Sequence, residues 1–314
     1  MVELVRNGFR EGVHRGTVVL LGPDGEVRQA LGAPERPMFP RSSNKPFQGL
    51  AMLRCGLDLP DDADLALGCA SHSGEPEHVE RALAILRKHG LDEDALGCPP
   101  DLPGHEPSRT ELLARGGGPR RAAMNCSGKH AAMLATCVQR GWSTEDYLDP
   151  AHPLQVAVRE TVEELTGEPV AATAVDGCGA PLFAFSLTGL ARAFAALVAA
   201  EPGSQERRIA DAMRAHPYLV AGTDREDTRL MRAVPGLLSK AGAEGVHAVA
   251  LPGVGAVAVK ITDGAARARL PVTVGALRAL GVPTSPELAA LAEETVLGGG
   301  QPVGTVRLLP GVLG

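Results

Sequence analysis

The order in which two hydrophobic periodicities occur along the chain constrains its fold more than any other feature. Near the N-terminus, residues 13–32 form two β-rich runs on either side of a Gly-Pro-Asp-Gly turn, a pattern typical of a β-hairpin. Period-two alternation returns at residues 244–264, in two runs that flank a Pro-Gly pair. Between these regions the apolar residues mostly follow helical spacing. We therefore expect strands from both chain ends to share one antiparallel sheet, with a helical middle packed beside it.

The helical middle is predicted from apolar stripes that carry helix start and stop signals. These helices lie near residues 45–53, 75–90, 126–141, 152–167, 187–200, 205–215 and 224–233, and a last helix covers 272–281. Residues 62–70 form a short apolar run that predicts a strand ending in a polar turn, and residues 266–272 predict a further strand. Residues 97–121 are rich in Pro, Gly and Arg and predict a long loop, which in compact domains is often functional.

Length and composition limit the class of protein. A chain of 314 residues suits one large domain, and we expect a sheet lobe at 1–40 and 236–314 and a helical lobe at 41–235. The net charge of −6 gives no electrostatic support to nucleic-acid or membrane-surface binding. There is no run of 18 apolar residues and no secretory h-region, and none of the six cysteines sits in a CxxC pair. We therefore expect a cytoplasmic enzyme with reduced thiols.

A serine and a lysine stand one helical turn apart where the first helix is predicted to begin. Ser42 and Lys45 are at positions i and i+3, so their side chains share one helix face. A lysine can accept the proton of a serine only while the amine is neutral, and burial or a neighbouring cation favours the neutral form. The alternative is a polar first turn in which Ser42 caps the helix.

Two further segments follow this pair in the order known from serine β-lactamases and penicillin-binding proteins. Ser71-His72-Ser73 stands where those enzymes carry S-x-N, so the role of position 73 is open. Lys240 opens a K-A-G segment, in place of K-T-G, just before the C-terminal strands. The alternatives are that Ser71 only leads into a helix N-terminus and that Lys240 is a solvated lysine at a strand edge.

A second cluster of reactive side chains lies at the predicted start of the helix near residue 126. Free amides at a helix N-terminus favour an anion, so a Cys126 thiolate would be stabilised there as a nucleophile or a metal ligand. Lys129 follows on the same face, and Cys178 lies in a separate Asp-Gly-Cys-Gly turn. Two cysteines and one nitrogen suit zinc with an open fourth position. The alternative is that both cysteines are small buried residues.

Motifs of several other function classes are missing from the sequence. The segment SGKH at 127–130 lacks the earlier glycine of a P-loop and has His130 where Ser or Thr is required. Neither HExxH nor GxSxG occurs, and the glycine clusters do not stand between a strand and a helix as a dinucleotide site requires. Nucleotide binding and the common metalloprotease and esterase chemistries therefore have no support.

Five segments together resemble the L-asparaginase family typified by the rhizobial inducible, thermolabile enzymes. They are RSSNKPFQ at 41–48, CASHSGEPEHV at 69–79, NCSGKHAAML at 125–134, DGCGAP at 176–181 and LLSKAGAEGV at 237–246. The resemblance covers nearly the whole chain. It implies the fold of serine β-lactamases, penicillin-binding proteins and glutaminases, of the α/β (α+β) class, as a single catalytic domain with an antiparallel sheet built from both chain ends and a helical middle lobe.

The resemblance also implies roles for residues at matching positions. The catalytic pairs would be Ser42 with Lys45 and Ser71 with Lys240. The ligands of one zinc ion per chain would be Cys126, Lys129 and Cys178. The substrate-binding candidates are Arg41, His72, Asn125, His130 and Asp176. Arg41 is alternatively a structural surface cation, both histidines are alternatively structural, and Asp176 alternatively shapes a turn.

The activity implied is hydrolysis of the side-chain amide of L-asparagine to L-aspartate and ammonia by a homodimer, with no nucleic-acid or membrane partner. We expect Ser42 to attack the amide carbon, Lys45 to act as base and then as acid, and Ser71 with Lys240 to complete the proton network. Which serine attacks is left open. The alternatives are a glutaminase or another β-lactamase-like amidohydrolase or acyltransferase, and a non-catalytic amino-acid-binding protein on the same scaffold.

Overall fold

The structure is a computed structural model that describes residues 1–313. The strands are β1 Val2–Arg6, β2 Phe9–His14, β3 Gly16–Leu21, β4 Val27–Leu31, β5 Ala172–Val175, β6 Pro181–Ala184, β7 Leu238–Gly242, β8 Val246–Leu251, β9 Gly255–Ile261, β10 Glu293–Gly298 and β11 Gln301–Leu308. The helices are α1 Lys45–Arg54, α2 Asp62–Gly68, α3 Pro76–Lys88, α4 Glu106–Ala114, α5 Ser127–Arg140, α6 Pro153–Thr166, α7 Leu187–Ala199, α8 Gln205–Ala215, α9 Pro217–Val220, α10 Glu226–Ala233, α11 Arg269–Ala279 and α12 Pro286–Ala289. Among the described residues, every helix is too short or too polar to cross a membrane.

Strands from both chain ends pair with each other, as the periodicities predicted. A four-stranded sheet has the order β10-β11-β1-β2, and a five-stranded sheet has the order β4-β3-β9-β8-β7. The pairs between N-terminal and C-terminal strands are antiparallel, with Val2 opposite Leu308 and Val18 opposite Val259. The predicted mixed α/β fold with antiparallel strands from both ends is therefore confirmed, although the strands form two sheets instead of one.

The chain folds into two compact units. The sheet unit comprises residues 1–43, 184–199 and the described residues from 230 onward, and the helical unit comprises residues 44–183 and 200–229. Helix α7 belongs to the sheet unit, where it packs on β3, β8 and β9, because most of its residues are apolar and buried. Helix α11 packs on β8, β9 and β11, and its valines join those of the strands in the apolar core.

The helical unit is built around α5. This helix packs against α1, α2, α3 and α6, and its residues form a large part of the apolar core of the unit. Gly141 ends α5 in the left-handed conformation (φ 68°) that favours glycine. The N-terminus of α5, which carries Cys126, is therefore held by helices on several sides.

Residues 62–68 form a helix, so the predicted strand there is wrong. The Asp61 side chain caps α2 by accepting the Ala63 N–H, and Asp62 and Asp64 lie in its first turn, where the helix dipole favours negative charge. All but the first residue of α2 are buried, and a short run buried on all sides carries no periodicity that distinguishes a helix from a strand. Ser71 therefore follows a helix.

Three more predictions about local structure are wrong. Residues 97–121 contain α4, whose Pro107 lies in the first turn, where proline is tolerated. Residues 266–272 form a short 3₁₀ turn and the start of α11 instead of a strand. The chain also does not end on the helix near 272–281, because β10 and β11 follow; β10 is a largely exposed edge strand and lacks the alternation that marks a half-buried strand.

Candidate active site

Lys45 is a buried amine held by three acceptors of the helical unit. It is the first residue of α1, and only 1% of the residue is exposed. Its Nζ donates to the Ala70 carbonyl, to Ser71 Oγ at 2.9 Å and to Cys126 Sγ at 3.0 Å. An ammonium group has three N–H donors, so these contacts use all of them. Lys45 thereby joins the start of α1 to the segment after α2 and to the start of α5.

Ser42 lies in the sheet unit, in a 3₁₀ turn at Arg41–Asn44 that leads directly into α1. The serine is half-buried, and the residue before it, Arg41, has φ 53°. A non-glycine residue in this left-handed region is strained by about 1–2 kcal/mol, and such strain often occurs at functional sites. The Arg41 side chain lies 3.7 Å from Glu244, an exposed pair of the kind that contributes little to stability.

The turn that carries Ser42 packs closely on the end of β7. A Cβ atom placed on Gly242 would lie 2.5 Å from the Pro40 carbonyl oxygen and 2.8 Å from Ser43 Oγ. Only glycine leaves room for this approach, and Arg269 donates a hydrogen bond to the Gly242 carbonyl. The glycine of the K-A-G segment is thus a spacer that sets the position of the serine turn.

Lys240 lies in β7, one of the two edge strands of the five-stranded sheet. The residue is 1% exposed, which excludes the solvated strand-edge lysine considered from the sequence, and its Nζ donates to the Ala241 carbonyl at 2.9 Å. The preceding Ser239 hydrogen-bonds His247 Nε2 at 2.9 Å, and His247 Nδ1 contacts Thr273 Oγ1 at 3.0 Å. This buried polar chain ties the edge strand to β8 and to α11.

Ser71 and its neighbours follow α2 in the helical unit. Ser71 is half-buried and its backbone N–H donates to the Val220 carbonyl. His72 accepts the Gly74 N–H at Nδ1, so Nε2 carries the hydrogen that is donated to Ser127 Oγ at 3.0 Å. Burial, and then the nearby His78, lower the pKa of His72, so the ring is neutral. Both of its nitrogens have protein partners, as the structural alternative requires.

Ser73 occupies the position where the β-lactamase pattern has Asn. Its Oγ donates to the Ala221 carbonyl at 3.0 Å and lies 3.3 Å from an Arg225 guanidinium nitrogen. These contacts connect the segment between α2 and α3 to the segment between α9 and α10. Position 73 is therefore occupied by a buried serine in structural hydrogen bonds.

The two cysteines and the lysine of the predicted metal site come together. Lys129 Nζ donates to Cys178 Sγ at 3.1 Å, and the pKa values of Cys126 and Cys178 depend on each other. The thiol of Cys126 also lies 2.8 Å from Asn125 Oδ1, and Asn125 is exposed. All three predicted ligands are buried.

The pKa values of the two cysteines shift in opposite directions. The hydrogen bond from Cys126 lowers the pKa of Cys178 against the opposing effect of burial, and the Lys129 charge adds to it. The same hydrogen bond, and then burial, raise the pKa of Cys126. Burial disfavours the Lys129 ammonium, but the two sulfurs outweigh it and raise the pKa of Lys129. These directions favour a thiolate on Cys178 over one on Cys126.

His130 and Asp176 flank this cluster. Burial, and then the Lys129 charge, lower the pKa of His130 to about 4, and its Nδ1 lies 2.7 Å from the Tyr147 hydroxyl. Asp176 is half-buried, and its Oδ1 accepts the Gly177 N–H at 2.8 Å in the turn between β5 and β6. That turn places Cys178 beside α5.

The donor set fits a soft divalent metal in its chemistry. Two sulfurs and one nitrogen match the ligands that zinc takes, with room for a fourth, although lysine must lose its proton to bind. Within residues 1–313, no group of three or more His, Cys, Asp or Glu side chains is arranged to hold a metal ion. Zinc at Cys126, Lys129 and Cys178 accordingly stays a prediction.

The structure brings together, within the helical unit, most of the predicted site residues. They are Lys45, Ser71, His72, Asn125, Cys126, Lys129, His130, Asp176 and Cys178. Arg41, Ser42 and Lys240 belong to the sheet unit. Sequence reasoning missed Tyr147, which is one of only two tyrosines in the chain and is buried with its hydroxyl on His130. The available signal was the rarity of tyrosine in this chain, because a tyrosine that becomes buried usually needs a hydrogen-bond partner for its hydroxyl.

Comparison with known proteins identifies the family. The family model for L-asparaginase II matches residues 2–308. No curated protein matches the chain significantly. Among solved structures, the chain is similar to Mglu in its native form, with 15% identity and a TM-score of 0.42 over 79% of this chain and 59% of that chain. It is also similar to a β-lactamase from Mycobacterium bovis, with 17% identity and a TM-score of 0.41 over 80% of this chain and 88% of that chain.

At these TM-scores the likeness to solved structures carries no weight for function, and the chain spans only about three fifths of the Mglu chain. The family match is different, because it extends over almost the whole sequence and includes all of the segments that carried the resemblance. The chain belongs to the L-asparaginase II family.

Proposed function

We propose that the protein is an L-asparaginase that hydrolyses the side-chain amide of L-asparagine to L-aspartate and ammonia through a serine–lysine acyl-enzyme. The observation that carries this proposal is the buried Lys45 amine, 2.9 Å from the hydroxyl oxygen of Ser71. A base must lie within about 2.6–3.2 Å of the proton it removes, and this pair meets that requirement. The family match supports the amide as the substrate group.

The reaction follows from the chemistry of this pair. A neutral Lys45 takes the proton of a serine hydroxyl as the serine oxygen attacks the amide carbon. The tetrahedral intermediate collapses when Lys45 returns the proton to the amide nitrogen, so the C–N bond breaks and ammonia leaves. A water molecule then attacks the ester, with Lys45 again as base, and releases aspartate and the free serine. A backbone N–H at the serine turn would hold the oxyanion, a contact worth about 3–4 kcal/mol.

Two serines compete for the role of nucleophile. Ser42 is the residue predicted from the spacing, and the contact with Lys45 favours Ser71 as the hydroxyl that exchanges a proton with the base. Ser42→Ala and Ser71→Ala separate the roles when ammonia release and acyl-enzyme formation are both measured. The nucleophile variant forms no acyl-enzyme, whereas the proton-relay variant forms it slowly. Full turnover by Ser42→Ala removes Ser42 as the nucleophile.

A substrate panel tests the proposed activity against its alternatives. Ammonia release is compared for L-asparagine and L-glutamine, and hydrolysis of a chromogenic β-lactam is followed in parallel. Preference for L-asparagine is the expected result. Preference for L-glutamine indicates a glutaminase, β-lactam turnover indicates another acyltransferase, and ligand binding without any turnover indicates an amino-acid-binding protein.

We also propose zinc at Cys126, Lys129 and Cys178, with Asp176 and Arg41 as contacts for the amino-acid end of the substrate. When bound, zinc would supply Lewis-acid attraction for that end of the substrate, separate from the serine–lysine chemistry. Elemental analysis of protein purified without chelator should find about one zinc per chain and none in Cys126→Ala. A ratio far below one in the wild type contradicts the site.

The family resemblance further supports a homodimer as the assembly. Sedimentation equilibrium should give twice the 32.5 kDa mass of the chain. A mass equal to one chain at micromolar concentration contradicts this part of the proposal.

A further inference from the structure

A cavity in the helical unit lies apart from the candidate active site. It has a volume of about 580 Å³ and opens where the end of α1, the end of α5 and one face of α6 meet. That volume is within the range of about 300–1,000 Å³ that small-molecule sites occupy. None of the predicted site residues, all of which the structure describes, lines this cavity. Its lining instead includes two charged groups, Arg140 and Glu160, that the proposed reaction does not use.

The guanidinium of Arg140 is held in place without the use of its N–H groups. Arg140 is in the last turn of α5, where the helix dipole favours a cation, and its Cζ lies 5.5 Å from the centre of the Trp142 ring. The Trp142 ring meets the His152 ring edge-on at 5.9 Å, and both nitrogens of His152 have hydrogen-bond partners. Within residues 1–313, no hydrogen bond or ion pair joins the Arg140 side chain to another residue. Its N–H groups are therefore available to a ligand.

Glu160 supplies the opposite charge on another wall of the same cavity. It lies on α6, and its carboxylate forms no hydrogen bond or ion pair with any residue that the structure describes, Arg140 included. The thiol of Cys55, at the end of α1, lies near both charges. Burial raises the pKa of this thiol, the Arg140 charge lowers it, and the Glu160 charge raises it. Two opposite charges thus face one small volume without contacting each other.

Arg54, which also lines the cavity, differs from Arg140 because its charge is already compensated. Its guanidinium donates to both carboxylate oxygens of Glu164, at 2.7 and 2.8 Å, and to Glu206 at 2.8 Å. One guanidinium and one carboxylate therefore stay available to a ligand in this cavity. Between them the α6 wall is apolar, with Pro153 and the half-exposed Val156.

We propose that this cavity binds a small α-amino acid with an apolar side chain. The carboxylate of the ligand pairs with the planar guanidinium of Arg140, its ammonium group pairs with Glu160, and its side chain lies against Val156. A simple anion or cation would satisfy only one of the two charges, whereas a zwitterion satisfies both. Exposed ion pairs are individually weak, so the expected dissociation constant is on the order of 1 mM.

Protection of Cys55 from alkylation tests the site directly. Cys55 is half-buried and lines the cavity, whereas the other five cysteines are buried, so N-ethylmaleimide should label Cys55 first. Peptide mass spectrometry identifies the labelled residue. L-Valine should slow this labelling about tenfold when its concentration is near ten times its dissociation constant. L-Valine has no net charge, so it leaves the ionic strength unchanged.

Two blocked forms of the ligand test the recognition of a zwitterion. L-Valine methyl ester lacks the carboxylate that would pair with Arg140, and N-acetyl-L-valine lacks the ammonium group that would pair with Glu160. Neither compound should protect Cys55 at concentrations where L-valine does. Protection by either compound equal to that by L-valine overturns the proposal.

Substitutions locate the bound ligand. Arg140→Gln and Glu160→Gln should each label at the same rate with and without L-valine. Arg87→Gln should keep the protection and is the matched control, because Arg87 is an exposed arginine in the last turn of α3 and does not line the cavity. The assay needs no turnover, so it decides the role of the cavity whether or not the protein hydrolyses L-asparagine.

Two further results would overturn the proposal. Protection that persists in Arg140→Gln would mean that L-valine binds elsewhere. A wild-type labelling rate that does not change up to about 100 mM L-valine, roughly a hundred times the expected dissociation constant, would mean that the cavity does not take an amino acid.

Discussion

At the scale of single residues, Lys45 combines two opposing demands. As an ammonium it is well solvated by three protein acceptors, whereas the proposed chemistry needs the neutral amine. Of the three contacts, the one with Ser71 Oγ at 2.9 Å is the contact that the proposed reaction uses.

Replacing Lys45 with Met should remove activity without unfolding the protein. Met has similar volume, but the Ala70 carbonyl loses its donor at a cost of about 1–3 kcal/mol, so the melting temperature should fall by only a few degrees. Loss of the general base should lower kcat by about 10²–10⁴-fold. Ammonia release and thermal unfolding are measured side by side, with Lys88→Met at an exposed lysine as the control. Activity within tenfold of wild type contradicts the assigned role.

His72 should make the fold sensitive to acid. Because burial lowers the pKa of His72 below its ordinary value of 6.5, the unfolded chain binds an extra proton once the pH drops under about 6.5. The free energy of unfolding should then fall with decreasing pH, by up to about 1.4 kcal/mol per pH unit from this group. Denaturant unfolding at pH 5 to 8 should show a shallower pH dependence in His72→Gln than in the wild type. Identical slopes would contradict the assignment.

At the scale of elements, the edge strand β7 carries Lys240 on one side and the spacer Gly242 at its end. An edge strand has a sheet neighbour on one side only, so its position depends on other contacts. The Ser239–His247–Thr273 chain and the close packing of the 40–43 turn supply such contacts. The geometry of Ser42 is thus set by packing between β7 and the turn.

Gly242→Ala should lower activity more than stability. The new methyl group would meet the Pro40 carbonyl at 2.5 Å and displace the turn, at a cost of about 1–3 kcal/mol of stability. A displacement near 1 Å at the serine turn can reduce kcat by about 10²-fold. Gly12→Ala, where the added methyl has open space, is the control. A variant with normal kcat and a normal melting temperature would show that the turn tolerates the displacement.

At the scale of the whole molecule, a ligand that binds only the folded chain raises its stability. Zinc at one hundred times its dissociation constant should add about 2.7 kcal/mol to the free energy of unfolding. For a chain of this size that corresponds to a melting temperature higher by roughly 5 °C. Calorimetry with and without zinc should show this rise in the wild type and in Cys55→Ala, and no rise in Cys178→Ser. The same rise in Cys178→Ser would place the zinc elsewhere.

Local signals predicted some of these features and failed at others for identifiable reasons. The hairpin of β3 and β4 was predicted because β-rich runs flank a strong turn. Helix α2 and strands β10 and β11 were missed, since α2 is buried on all sides and β10 is exposed. In both situations a one-sided apolar stripe, the signal on which periodicity depends, is absent.

In the candidate site, too, some features were predicted from the sequence and others were not. The predicted ligands Cys126, Lys129 and Cys178 lie close together in the structure. Each of them could be identified in advance because it belongs to a specific sequence motif. Spacing predicted Ser42 as the partner of Lys45, whereas the contact found is with Ser71, 26 residues along the chain. Spacing describes neighbours within one helix, and this contact joins two different segments.

The sequence by itself determined the family, the pairing of strands from both chain ends, and the chemical groups available to the site, because these depend on residue type and local pattern. Only the tertiary structure decided which hydroxyl lies beside Lys45 and which sulfur accepts a hydrogen bond from Lys129. Each of these depends on hydrogen bonds of about 3 Å between residues far apart in sequence, which packing alone brings within range.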